Sequence, residues 1–229
     1  MAQSRLFRRR SLKAPIRRGT MTALRQRLAP MVVSAIVAFT GTAGAQDEFA
    51  TDARRLVPAI QLHQGQTVAD IGAGGGQLAV ELAREVGPSG RVYATELEEG
   101  RRRDIREAAK SAGLKNVEVL EARATSTNLP ERCCDALVMR RVYHHIGNPS
   151  LMNASMLASL KPGGFLVIID FPPDSAESAD PNGRDEGEQH GVMSVTVARE
   201  LGEAGFEVVT VEKGEGSDRY MVVARRPTS

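Results

Sequence analysis

The sequence predicts an α/β protein: a doubly wound sheet of seven strands, five parallel followed by a terminal hairpin, in a single domain. Three observations carry this. From residue 49 onward, short apolar runs alternate with segments whose apolar residues recur at helical spacing. Four glycines fall within five positions, Gly72–Gly76, directly after the apolar run that ends at Asp70 and Ile71. The chain closes with two apolar runs joined by the short connection Lys213–Arg219, which forces the last strand to run antiparallel.

The elements follow in order. Residues 49–63 place Phe49, Ala53, Leu56, Val57 and Ile60 on one helical face, ended by Gln64-Gly65. Thr67–Ile71 is a strand, Gln77–Val86 a helix stopped by Gly87-Pro88-Ser89-Gly90, and Arg91–Thr95 the second strand. Glu98–Ala112 is a helix closed by Gly113, Val117–Glu121 and Ala136–Met139 are strands, Ser150–Leu160 is a helix and Phe165–Asp170 a strand. Val195–Ala204 is the last helix, before the hairpin Glu207–Glu212 and Tyr220–Ala224. Helices of this length between strands cover both faces of a parallel sheet. Residues 171–191 are rich in Pro, Asp, Ser, Gly and Glu and lack periodicity, the signature of a lid, a binding loop or a solvated insert.

Charge separates the two ends of the chain. The net charge is +2, yet residues 1–45 hold nine basic residues and no acid, leaving the remainder with 21 basic and 28 acidic residues. An acidic body argues against nucleic-acid binding, which needs clustered Lys and Arg. The leader reads as a secretory signal: a basic start, the apolar stretch MVVSAIVAFTG, and Ala43-Gly44-Ala45, with cleavage expected after Ala45. Met21 offers an alternative start, and Arg8-Arg9-Arg10 lies too far upstream for a good twin-arginine signal. The predicted location is the periplasm or the exterior, with no stable membrane insertion after cleavage; an uncleaved leader would anchor the chain in the inner membrane. Cys133 and Cys134 are adjacent, a spacing that argues against a bridge between them and supplies no metal-ligand pattern.

Glycines after the first strand of such a sheet let the backbone turn sharply and approach a ligand, with helix amides offered as donors. A dinucleotide fingerprint needs a third glycine where Gln77 stands. The pattern is instead Asp70-x-Gly72-x-Gly74-x-Gly76, with Glu96 following 20 residues after Gly76 at the end of strand two, and LKPGGFLVIIDF turning into strand five. Over residues 52–226 this resembles the class I S-adenosylmethionine-dependent methyltransferases, whose fold is Rossmann-like with strand order 3-2-1-4-5-7-6. The phrase VYHHIGNP is similar to the small enzymes of the ubiquinone and menaquinone biosynthesis group.

The resemblance implies S-adenosyl-L-methionine as cofactor. It implies that Asp70, Gly72, Ala73 and Gly74 cradle its methionine end, that Glu96 takes the ribose diol and that Leu97 packs on the adenine. Asp70 has a second reading, as a group that orients the glycine turn. Relatives carry an acid after strand three; here Thr125 or Ser126 offers a hydroxyl instead, a weaker acceptor. Arg140, at the end of strand four, joins the cofactor set.

Methyl transfer needs alignment, desolvation and, where the acceptor demands it, a base, but no metal. Tyr143, His144, His145 and His190 are the catalytic candidates, the first three at the crevice edge and His190 in the long loop. His144 and His145 should point oppositely if the segment is extended, so only one would face the site. The function read from the sequence is methyl transfer to a small-molecule acceptor. The alternative is an exported protein of this fold that binds a nucleoside-like ligand without catalysis. A nicotinamide enzyme is disfavoured by Gln77.

Overall fold

The computed structural model describes residues 43–213 and 218–228. The expected leader lies outside them except for its last three positions, whose backbone opens the first helix, α1 (Ala43–Ala59). No helix among the described residues is long and apolar enough to cross a membrane.

The elements that follow are β1 (Thr67–Ile71), α2 (Gln77–Val86), β2 (Arg91–Glu96), α3 (Glu99–Ser111), β3 (Val117–Glu121), β4 (Cys134–Arg140), α4 (Pro149–Ser159), β5 (Leu160–Asp170), α5 (Ser194–Glu203), β6 (Glu207–Lys213) and β7 (Tyr220–Arg225). The sheet order is β3-β2-β1-β4-β5-β7-β6. β1 pairs in parallel with both β2 and β4, so Asp70 lies opposite Ala94 on one side and Val138 on the other. β7 runs antiparallel between β5 and β6. The seven-stranded expectation and its order hold.

Successive residues of each central strand feed opposite faces of the sheet, so the strands read as unbroken apolar runs. Ala69, Leu137, Met139, Leu166 and Ile168 pack with Met152 and Met156 of α4 and Val197 and Leu201 of α5. Val68, Val138, Val167 and Ile169 pack with Leu56 of α1 and Ile60 just beyond it, Leu82 and Val86 of α2, and Ile105 of α3. α4 begins on a defined cap: Asn148 Oδ1 accepts the Leu151 amide at 3.1 Å, and Pro149, whose missing N–H costs nothing there, follows it.

Two local expectations are corrected. α1 stops at Ala59 instead of residue 63, because Pro58 weakens its last turn and Gln61 takes a left-handed conformation, φ 48°. Cys133 and Cys134 form a disulfide with Cα atoms 3.7 Å apart. Arg132 is left-handed at φ 50° and the β4–β5 register shifts between Cys134 and Ala136, which takes the pair out of the regular extended geometry that would separate the sulfurs. The 171–191 segment is anchored: its turns Pro181–Asp185 and Gly187–Gln189 are held to α5 by buried Arg184, whose Nη2 donates to Glu200 Oε1 at 2.6 Å.

Candidate active site

In an open doubly wound sheet, ligands bind beyond the carboxyl ends of the strands where the order reverses, here between β1 and β4. A cavity of about 1090 Å³ lies there, lined by the glycine turn, the ends of β2 and β4, the 3₁₀ turn Tyr143–His145 and parts of the long loop. A second cavity of about 830 Å³ lies at the opposite, amino-terminal ends of the strands, among Thr67, Arg91 and Asn116.

The glycine turn is built for close approach. Gly72 and Ala73 amides donate to the Thr95 carbonyl at 2.9 and 3.0 Å, fastening the turn to β2. Gly72 has φ 71°, and a Cβ there would come within 2.6 Å of Val142. Gly76 has φ 83° and sits against the Ile105 backbone, where a Cβ would be 3.0 Å from its Cα. Gly72 thus lines the cavity where a side chain would collide with Val142, and Gly76 lets the turn pack on α3.

Glu96, half-buried, ends β2. Its Oε2 accepts the Gly74 amide at 2.9 Å and its Oε1 the Leu97 amide at 2.8 Å, so the carboxylate is held between turn and strand. Leu97 is 57% exposed at the cavity wall, an apolar surface available to a planar ring. Thr125 lines the cavity beside Ala122–Ala124. Ser126 does not; it turns back to pair with Arg123.

Asp70 lies beneath the turn, fully buried, and accepts the Ala79 amide while its Oδ2 has no partner. Burial pushes its pKa up to about 7, against the pull of Arg140, the Ala79 bond opposing and Glu96 adding to the rise. Asp70 does not line the cavity, and its bond to the Ala79 amide near the start of α2 accords with its second reading, a group that orients the turn. Arg140 is in the wall. Its Nε donates to buried Asp52 at 2.6 Å, and its guanidinium lies 4.1 Å from the Phe49 ring. Spacing on a lone α1 could not show that this helix would fold Phe49 and Asp52 over the end of β4.

The Tyr143-His144-His145 segment is a 3₁₀ turn and not an extended edge, which corrects two expectations. Tyr143 is fully buried behind the cavity, donating to Glu200 Oε2 at 3.0 Å and accepting from Asn153 Nδ2 at 2.8 Å. Its pKa is raised by burial and Glu200, so it is a neutral core group and not a base. His144 and His145 both face the cavity, ring centroids 3.9 Å apart, because a tight helical turn brings neighbours together that a strand would separate. His144 is buried on Asp170, which accepts its amide at 3.2 Å and faces its Nδ1 at 2.8 Å. Burial and the His144 ring hold the His145 pKa below the usual imidazole value, opposed by Asp185 at 2.5 Å from its Nδ1. His190, brought in by the anchored loop, places its ring 4.6 Å from that of His144. The spacing of the sequence shows no ligand cluster; the fold assembles one, with single ligand atoms of His144, His145, Asp185 and His190 all within 4.8 Å of each other. Asp170 and Asp185 escaped sequence reading because nothing local marks an acid at a strand end or in a polar loop as a histidine partner.

The strand order is that of the Rossmann-like methyltransferase fold. Residues 68–164 match the family described as "Methyltransferase domain", and S-adenosylmethionine is the cofactor of such domains. The backbone cradle, Glu96 and exposed Leu97 fit that molecule. Over 111 residues the chain is 30% identical to the ubiquinone/menaquinone biosynthesis C-methyltransferase UbiE of Escherichia coli, covering 48% of this chain and 44% of that one. The match thus spans less than half the length of that relative. A solved S-adenosylmethionine-dependent methyltransferase from Aquifex aeolicus superimposes with TM-score 0.65 at 26% identity, over 79% of this chain and 98% of the other. A possible exported protein from Bordetella parapertussis shares the fold, with TM-score 0.62 at 17% identity over 80% and 68% of the two chains.

Proposed function

We propose that the protein transfers a methyl group from S-adenosylmethionine to a small-molecule acceptor. The observation that carries this is one crevice with two unlike walls: the glycine turn, Glu96 and Leu97 on one side, three imidazoles on the other. When bound, the cofactor supplies a methyl group activated on a sulfonium. The chain's own residues do the rest. Glu96 takes the ribose hydroxyls, Leu97 covers the adenine, Thr125 offers it a hydroxyl, and the Gly72–Gly74 backbone receives the methionine end. His145 and His190, with lone pairs at the opposite wall, receive the acceptor's proton, while Asp170 fixes His144 as their support. The Phe171 ring, 4.8 Å from that of His144 and 5.2 Å from that of His190, packs against these imidazoles and steadies them.

The leader supports export, with a mature amino terminus at Gln46, and the Cys133–Cys134 disulfide is consistent with an oxidising compartment. Mass spectrometry of native protein tests this: a cytosolic chain that retains Arg8–Arg27 refutes it.

The test of function is transfer of tritiated methyl into the small-molecule fraction of an envelope extract. Label that appears with the wild type and is lost in His145→Ala supports methyl transfer. Cofactor binding without label in any extract supports the ligand-binding reading instead.

A further inference from the structure

The histidines at the acceptor wall are arranged beyond what proton acceptance requires. Two come from the 3₁₀ turn after β4, and the loop that Arg184 pins to α5 adds Asp185 and His190. One oxygen, Asp185 Oδ1, lies 2.5 Å from His145 Nδ1 and 4.0 Å from His190 Nε2, so it faces two imidazoles at once. His144 turns its Nδ1 to Asp170, which is fully buried and also accepts the His144 amide. This carboxylate–imidazole pairing is how metal-binding histidines are commonly held: it sets the ring orientation and leaves Nε2 with its lone pair outward. Two of the four groups are half-exposed and a third is exposed, so an ion has an entry path.

We propose that His144, His145, Asp185 and His190 bind one divalent transition-metal ion of the zinc class. Three imidazoles and one carboxylate make a borderline donor set suited to zinc or cobalt, and a poor one for magnesium or calcium, which prefer all-oxygen shells. Four ligands gathered within 4.8 Å need only small rotamer adjustments to converge at zinc–nitrogen and zinc–oxygen distances of about 2.0–2.2 Å. The ion joins the end of β4 to the 181–190 segment and closes the acceptor end of the crevice. In the metal-free protein His145 and His190 take the acceptor's proton; with the ion bound they would serve as its ligands, and the ion would lower the pKa of an acceptor heteroatom that reached it, so that the proton passed to solvent.

The test uses the full untagged protein, stripped with chelator and titrated with zinc and, separately, cobalt. The expected result is one equivalent per chain by elemental analysis, and a cobalt spectrum in the visible that reports imidazole ligation. Asp185→Ala and His190→Ala, whose side chains are not buried and whose loss should spare the fold, are expected to weaken zinc at least about 10-fold. His63→Ala, at an exposed position outside the cluster, should bind like the wild type. Failure of zinc and cobalt to bind stoichiometrically overturns the proposal, as does binding unchanged in both variants or lost equally in His63→Ala. S-adenosylmethionine titration on the same samples separates the two readings: cofactor binding without metal overturns this site and leaves methyl transfer standing.

Discussion

Replacing Glu96 tests the cofactor wall at its most specific point. The carboxylate is already oriented, with Oε2 on the Gly74 amide and Oε1 on the Leu97 amide, and each oxygen keeps a further lone pair for a ribose hydroxyl. Charge-assisted bonds of this kind are worth about 1.5–3 kcal/mol, so Glu96→Ala should raise the dissociation constant for S-adenosylmethionine by about 10- to 150-fold. Glu96→Gln keeps the shape and loses the charge, and should fall between. Because Glu96 is half-exposed, water can replace it on the two amides, and the stability cost should stay below about 1 kcal/mol. Isothermal titration with the cofactor and with S-adenosylhomocysteine, beside urea unfolding, measures both quantities. Affinity within twofold of the wild type in a folded Glu96→Ala protein would refute the reasoning and remove Glu96 from the site.

Other outcomes follow from the same geometry. Asp70 binds its proton more tightly folded than unfolded, with a folded pKa of about 7 against 3.8, so it costs stability progressively as pH rises from about 4 to 7. Urea midpoints should carry that decline in the wild type, and Asp70→Asn should flatten it; an identical pH profile in the variant contradicts the assignment. Tyr143→Phe removes a hydroxyl that bridges Glu200 and Asn153 in the core, and should cost about 1–3 kcal/mol in unfolding free energy with cofactor affinity unchanged. His145→Ala should lower methyl transfer by about 10²–10⁴ in a stable protein. His144→Ala should also destabilise, since it strips buried Asp170 of a partner, and thermal melts of the two variants should differ accordingly.

The fold was legible because its central strands are buried on both faces and so announce themselves as short unbroken apolar runs, as in Ala136–Met139 and Leu166–Ile169, while the helical spacing of apolar residues marks Gln77–Val86 as a helix. The glycine turn was legible because positive φ and close packing admit few other residues. What escaped was long-range. Tyr143 carries the same local pattern whether it faces the crevice or Glu200, 57 residues away, and only tertiary packing decides. The histidine pair was misplaced because an extended edge and a 3₁₀ turn assign adjacent side chains differently, and VYHH does not choose between them. The disulfide was missed for a similar reason: the left-handed Arg132 beside the pair and the register shift after Cys134 have no strong sequence mark.

Diffraction from crystals of the protein grown with S-adenosylhomocysteine tests the central claim most directly. The account predicts the ligand in the crevice between β1 and β4, its ribose hydroxyls on Glu96, its adenine against Leu97 and its sulfur directed toward His144, His145 and His190. Density for the ligand in the cavity among Thr67, Arg91 and Asn116, or a crevice that holds it with the sulfur turned from the histidines, would contradict it.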